Sequence, residues 1–437
     1  MSRPSTITIN SLPVALLHSI GEAATATTDK ASLTLVSKLF NRTLTPALYA
    51  HICLERPQSI SQCLEVLASS APVTTCRHDL PSMVKSLHLL DPAESHYHSP
   101  EEFKFVDEEE ERLWERLLGL LSRMPRLRHF SIRVGHRLSY NSASQQLLRR
   151  LTSASTPSIT TLVLQLSLFS PFDKLPSASG HVTQLTGLRT LKLYVAVFPS
   201  FSNSAVPGMN ASDTSHMTYM KLMNSLLVAN ASSLTSLALA IYAPLMEHLL
   251  QGIPAFPVLE VLECSLEHLS LPVFEDTSSV RTLTVIPSVN STKIILPHFT
   301  FPNLNRLVCH PEDLNRILKE ASTLRPIHTI SLNYVTYERT PRPGASARCS
   351  YVCDITRAND GTAYSWPTLL PCLRWLQYKY LGHGLRHLSM LVRSLEVGPM
   401  RKVKSVFRRL ESLCVVVEEQ PDREVRADSP VPFPGCR

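Results

Sequence analysis

Residues 95–102 read Ser-His-Tyr-His-Ser-Pro-Glu-Glu and set two histidines just ahead of two carboxylates. Imidazole and carboxylate are zinc-ligand types, but a tetrahedral site needs three or four convergent groups. No second ligand cluster accompanies His96 and His98, so we read this stretch as a solvated polar loop. His383 and His387 stand four apart, a spacing that pairs two imidazoles on one helical face. The glutamate that would activate water in an HExxH metalloprotease is missing. His387 also falls inside an apolar repeat, which favours a structural role. Of the ten cysteines the closest two, Cys349 and Cys353, are four apart; none forms a CxxC or carries a paired-histidine motif. Neither a GxxxxGK phosphate loop nor a GxSxG nucleophile elbow is present. We therefore expect no catalytic residue, no cofactor and no metal.

The bulk numbers describe a core-forming chain: 437 residues, 44% hydrophobic and 18% charged. A formal charge of +7 is modest for this length. It raises on-rates for acidic partners without being a nucleic-acid footprint, and no nucleic acid is expected as a partner. Scattered cysteines read as free thiols of a reducing compartment. Sequons at Asn41, Asn210, Asn230 and Asn290 read as chance matches, because the opening MSRPSTITIN lacks an apolar signal core. Cytoplasm, nucleus or both is the expected location. Residues 222–246 carry no charge, but seven Asn, Ser and Thr interrupt them. A helix, a polar turn and a buried strand fit that stretch better than a bilayer span.

What must position any functional side chain is a repeat. From residue 84 the pattern apolar-x-x-apolar-x-apolar occurs eleven times, from VKSLHL (84–89) and LRHFSI (127–132) to LRHLSM (385–390) and LESLCV (410–415). Between 234 and 327 the steps are 25, 21, 24 and 23 residues. Apolar helical pieces fill several gaps, including EEERLWERLLGLLSRMP, HMTYMKLMNSLLVAN and PEDLNRILKEAST. Strand, turn and helix at this period predict an α/β solenoid in which each unit buries its apolar side chains against its neighbours.

The boundaries follow from where the pattern stops. Residues 1–9 read as a flexible N-terminus, 10–56 as a helical module, 57–82 as connecting helices and 83–335 as the solenoid. The Pro- and Gly-containing 336–372 reads as an insertion or degraded repeat, 373–419 as terminal repeats and 420–437 as a disordered tail. In the module, Leu12, Leu16, Leu17 and Ile20 fall on one helical face. Asp29 is a candidate cap for a second helix carrying Leu33, Leu35, Val36, Leu39 and Phe40. Thr45–Pro46 is a third start signal, ahead of Leu48 and Tyr49. About 45 residues cannot bury all of this alone, which predicts docking.

These pieces resemble an F-box, the short helical module that recruits a Skp-type adaptor and through it a cullin–RING ubiquitin ligase. The matching residues are Leu12-Pro13, Leu16-Leu17 and Ile20, then Leu35-Val36-Ser37-Lys38 with Phe40, then Pro46, Leu48 and Tyr49. Val14 and Ala15 stand where an acidic residue often follows the Leu-Pro pair. The repeat region is similar to the irregular leucine-rich repeats that follow many fungal-type F-boxes. The resemblance implies a non-catalytic substrate receptor that holds the adaptor through Leu12, Pro13, Leu16, Leu17, Ile20, Val36, Phe40, Pro46 and Leu48. The other reading is a leucine-rich-repeat scaffold with no ubiquitin-ligase partner.

Alternation along a strand locates the second expected surface. With hexad positions one, four and six buried, positions three and five and the residue after the hexad should line a concave face. That face would present His129, Arg133, Lys192, Tyr194, Glu263, Arg306 and His310 to a target protein.

Overall fold

The computed structural model describes residues 13–23, 27–54, 57–70, 79–90, 115–133, 159–168, 185–197, 214–241, 243–253, 255–274, 278–286, 301–318, 326–332, 364–380, 385–392, 394–407 and 409–417. Every one of the eleven hexads is a strand. In chain order they are β2 (Ser86–Leu90), β3 (His129–Arg133), β4 (Thr161–Leu168), β5 (Thr190–Val197), β6 (Ser236–Ala240) and β7 (Val261–Ser265). They continue as β8 (Thr282–Ile286), β9 (Arg306–Val308), β10 (Thr329–Leu332), β11 (His387–Val392) and β12 (Ser412–Val417). With one further strand, β1 (His51–Leu54), they make a single parallel sheet in strictly sequential order. The architecture is α/β and repeat-like.

Register follows from the pattern. Fourth hexad positions align across the sheet, Leu87 with Phe130, Phe130 with Leu162, Leu162 with Leu191 and so on to Leu388 with Leu413. From Ile52 to Leu388 this row is buried. The ladder starts one residue before each strand. The carbonyl of Lys85 accepts the N–H groups of both Arg128 (2.8 Å) and His129 (3.1 Å). The carbonyl of Arg128 does the same for Thr160 and Thr161, and that of Arg386 for Glu411 and Ser412. Each repeat thus hands its backbone groups to the next.

Helices cover the face that carries positions four and six. They are α4 (Pro57–Ser69), the helical segment 115–121, α5 (Thr214–Asn230), α6 (Ala243–Leu250), α7 (Pro311–Leu318), α8 (Trp366–Tyr380) and α9 (Val397–Val406). Leu64, Leu117, Leu226, Leu249, Leu314, Leu373 and Val403 from them join the strand residues in one continuous core. Several connections re-enter the sheet through an apolar-Pro-x-Leu turn: Met124-Pro-Arg-Leu127, Phe256-Pro-Val-Leu259 and Phe301-Pro-Asn-Leu304. The leucine N–H donates to the carbonyl three residues back at 3.1, 3.3 and 3.2 Å. Proline suits the second turn position because its φ is already set.

Two polar devices tie units together. Arg123 donates to the carbonyls of Ala68 and Ser70 and to Asp79 Oδ1, at 3.2, 3.1 and 3.1 Å. Asn230, at the end of α5, is fully buried. Its Oδ1 accepts from Leu188 N at 2.9 Å, and its Nδ2 donates to the carbonyls of Leu185 and Leu226 at 2.8 Å each. Its sequon is therefore closed to glycosylation in the folded chain. The uncharged stretch 222–246 is the end of α5, a turn, β6 and the start of α6. Among the described residues no helix is long and apolar enough to cross a membrane.

The structure corrects several boundaries. Residues 51–54, placed in the helical module by sequence, are the first strand and pair with β2. The helices α1 (Val14–Ala23), α2 (Thr27–Val36) and α3 (Lys38–Ala50) precede it. Asp29 lies in the first turn of α2 and does not cap it. The chain breaks at Ser37, whose hydroxyl accepts from Phe40 N at 3.2 Å, so Phe40 belongs to α3. Pro46 starts no helix. It sits inside α3 on an exposed position, where the carbonyl that loses its donor faces water. The limit drawn at 372 falls within α8, so the terminal repeat unit begins by Trp366. Residues 1–12, 336–363 and 418–437 lie outside the described part.

Two outcomes test this account. Asn230→Ala leaves the Leu188 N–H and the Leu185 carbonyl buried without partners and should cost about 2–4 kcal/mol in urea unfolding. The second concerns His268, whose Nδ1 meets Ser265 Oγ at 2.8 Å while its buried Nε2 has no partner. Burial pushes its pKa down to about 4. The unfolded chain therefore binds this proton more readily. The stability His268 contributes is complete above about pH 6.5 and falls away as the pH drops towards 4. Between pH 7 and 5 the wild type should lose about 2 kcal/mol relative to His268→Asn, which does not titrate there.

Candidate functional site

Among the described residues of the first three helices, the core consists of the buried side chains Leu17, Phe40 and Leu44, with Leu33 and Leu39 packed against them. Gly21 lets α1 approach α3 closely, since a Cβ there would collide with the Leu44 side chain. The remaining apolar residues point outwards: Val14, Leu16 and Ile20 on α1, and Leu35 and Val36 at the end of α2, are 53, 51, 38, 85 and 56% exposed. A large exposed apolar side chain is ordinary when isolated, but five within 23 residues of one small module mark an interaction site.

The residues expected to meet an adaptor divide between these roles. Leu17 and Phe40 are interior, Leu48 is half-buried, and Pro13, Leu16, Ile20, Val36 and Pro46 are exposed. Leu12 lies outside the described residues. The carbonyl of Pro13 accepts from Leu16 N and Leu17 N at 2.9 and 3.2 Å, so Pro13 leads directly into α1. Leu16 and Ile20, four apart, share a face distinct from that of Leu17, where sequence had grouped all three.

On the sheet, third and fifth hexad positions face away from the helices. One row runs His51, Ser86, His129, Thr161, Thr190, Ser236 and onward; the next runs Cys53, His88, Ser131, Val163, Lys192, Ala238 and Glu263. His129 and Arg306 are exposed; Lys192 and Glu263 are half-buried. Arg133 ends β3 level with Leu90 and Gln165, and its side chain lies outside the described part.

Two expected contact residues are not presented. Tyr194 is only 4% exposed and belongs to a small apolar cluster with Val163, Ala238, Ala240 and Ile286. The alanines of β6 leave room for its ring, and its hydroxyl reaches across that strand to donate to Glu263 Oε1 at 3.4 Å. His310 is beyond the end of β9, because α7 begins at Pro311, three residues after Val308. There it accepts from Glu312 N at 3.3 Å and packs edge-on against Tyr364, 4.8 Å between ring centres. Burial holds its pKa down against the opposing pull of Glu312 and Asp313.

Of the free thiols among the described residues, Cys53 and Cys414 are exposed and Cys264, Cys309 and Cys372 are buried. Burial raises the thiols of Cys264 and Cys309 well above their ordinary range, and that of Cys372 to about 12, so all three remain protonated. Cys372 Sγ donates to the Pro311 carbonyl at 3.4 Å. His387 is exposed, 3.9 Å from Glu411. Among the described residues no three His, Cys, Asp or Glu side chains come together to hold a metal. His96, His98, Cys349, Cys353 and His383 lie outside them.

Sequence reasoning missed the size of the imbalance in the head. Helical periodicity groups Leu16, Leu17 and Ile20 on one face but does not show that Gly21 lets α1 close onto α3 on the side of Leu17 alone. Gly21→Val should force α1 off Leu44 and destabilise the head by about 1–3 kcal/mol, while the sheet is untouched. Hydrogen exchange should accelerate in 14–50 and stay unchanged in β3–β8. Faster exchange throughout would mean that head and sheet unfold together. Compared with known proteins, the chain matches no family model, and no curated protein matches it significantly.

Proposed function

We propose that the protein is a non-catalytic substrate-recognition subunit of a Skp–cullin–F-box ubiquitin ligase, working in the cytoplasm, the nucleus or both. Its first three helices dock a Skp-type adaptor, and a leucine-rich-repeat solenoid holds a target protein within reach of the ubiquitin-loaded enzyme. The observation that carries this reading is the head. Val14, Leu16, Ile20, Leu35 and Val36 remain exposed around a core of three side chains. Burying an apolar side chain of this size contributes about 1.5–3 kcal/mol, so a handful of them supports a stable complex once ordering costs are met. The F-box resemblance names the partner that such a face would meet.

The test is direct binding of a purified Skp-type adaptor to the full chain by calorimetry. The wild type should bind with sub-micromolar affinity. Leu16→Asp together with Val36→Asp should weaken binding at least roughly a hundred-fold, by burying charge in an apolar contact. Circular dichroism and the main unfolding transition should stay unchanged. A wild-type chain that binds no adaptor leaves the protein a repeat scaffold.

A further inference from the structure

Along the N-terminal ends of the strands, second hexad positions form one continuous row. Their carbonyls accept the paired N–H groups of the next repeat, which brings each within a strand spacing of its neighbour. Lys85, Arg128, Arg189, Arg281 and Arg386 occupy this row and are exposed; Arg306, the first residue of β9, is exposed beside it. Thr160, Thr235, Asn305 and His328 stand between them. Only Glu260 and Glu411 in the row are acidic, and Glu411 already faces Arg386 Nη1 at 3.6 Å.

His51, at the start of the sheet, feels the charge of Lys85 from this row. Its imidazole is held below its ordinary pKa, first by burial and then by the positive charges of Lys85, His129 and Lys30. A cation would be repelled there. An anion would be attracted.

We propose that this N-terminal rim is a docking surface for an extended, acidic polypeptide segment of a partner protein. From Lys85 ahead of β2 to Arg386 ahead of β11 the row crosses nine strand spacings, about 43 Å at ~4.8 Å each, which an extended chain covers in about 13 residues. A peptide suits the row better than a nucleic acid. No Phe, Tyr or Trp stands in it or in the third-position row beside it, so bases would find only the smaller imidazole and guanidinium planes to stack on. Glu260 also interrupts the row, which a chain with separately placed carboxylates tolerates better than a continuous phosphate backbone does. In the middle of the open face Val163, Tyr194, Ala238, Ala240 and Ile286 are buried, whereas the basic residues of the rim are exposed. The rim is independent of whether the head binds an adaptor.

The experiment uses the full-length chain and a fluorescein-labelled peptide of alternating Glu and Ser, about 14 residues long, read by anisotropy. The peptide should bind at about 50 mM salt and weaken roughly ten-fold by about 300 mM, as exposed charge pairs do. A peptide of about six residues, reaching under half of the row, should bind roughly ten-fold more weakly. Arg128→Glu with Arg189→Glu should cost a further roughly ten-fold, and Arg128→Gln with Arg189→Gln less. Lys221→Glu, exposed on α5 among the helices, should change nothing. The proposal is overturned if the peptide does not bind at low salt, or if Lys221→Glu weakens it as much as the rim changes do. It is equally overturned if a thymidine oligonucleotide of the same length binds more tightly, which would make the rim a nucleic-acid site.

Discussion

Each strand in this protein can satisfy its backbone only through the repeats on either side of it. A parallel pair cannot be closed by a tight turn, so every step needs a crossover, and the crossovers bring the helices that cover one face. The hydrogen bonds make the dependence concrete, since one carbonyl at the entry of each strand holds two N–H groups of the next. Register is then forced. A slip of one residue would turn Leu162, Leu191 and Leu237 out of the core and place Val163, Lys192 and Ala238 inside it. Both proposed surfaces follow from that constraint. Fixed register lines up the basic second positions, and the stack provides a rigid base for a small head.

The head is the opposite kind of structure. Its three helices share so little core that they depend on the strand they run into, with α3 passing directly into β1. Exposure of Leu16, Ile20, Leu35 and Val36 is costly for a free module and useful for one that spends its working life bound. A glycine at 21 and a serine cap at 37 set which apolar residues turn inwards.

The sheet was readable in the sequence because its determinants are local and repeated. All eleven hexads became strands in the expected order, since period-two alternation with apolar positions four and six admits one register. The apolar-Pro-x-Leu turns at Met124, Phe256 and Phe301 were equally visible, and would have marked strand entries had the residues before each hexad been compared. β1 was missed because His-Ile-Cys-Leu is short and follows a helix without a turn residue. Tyr194 and His310 show where alternation stops being informative. Whether an outward side chain is exposed depends on its neighbours across the sheet, here Ala238 and Ala240. The end of a strand depends on the next helix, here Pro311. In the head, degenerate helical spacing could not divide the apolar residues between core and surface.

The measurement that bears most directly on the central claim is hydrogen exchange of the full chain with and without a purified Skp-type adaptor. The account predicts slowed exchange confined to α1 and α2 and the adjoining part of α3, residues 14–50, with β2–β12 unaltered. Protection that appears along the strands while residues 14–36 exchange as before would contradict it, because the adaptor would then be held by the sheet and not by the exposed apolar head.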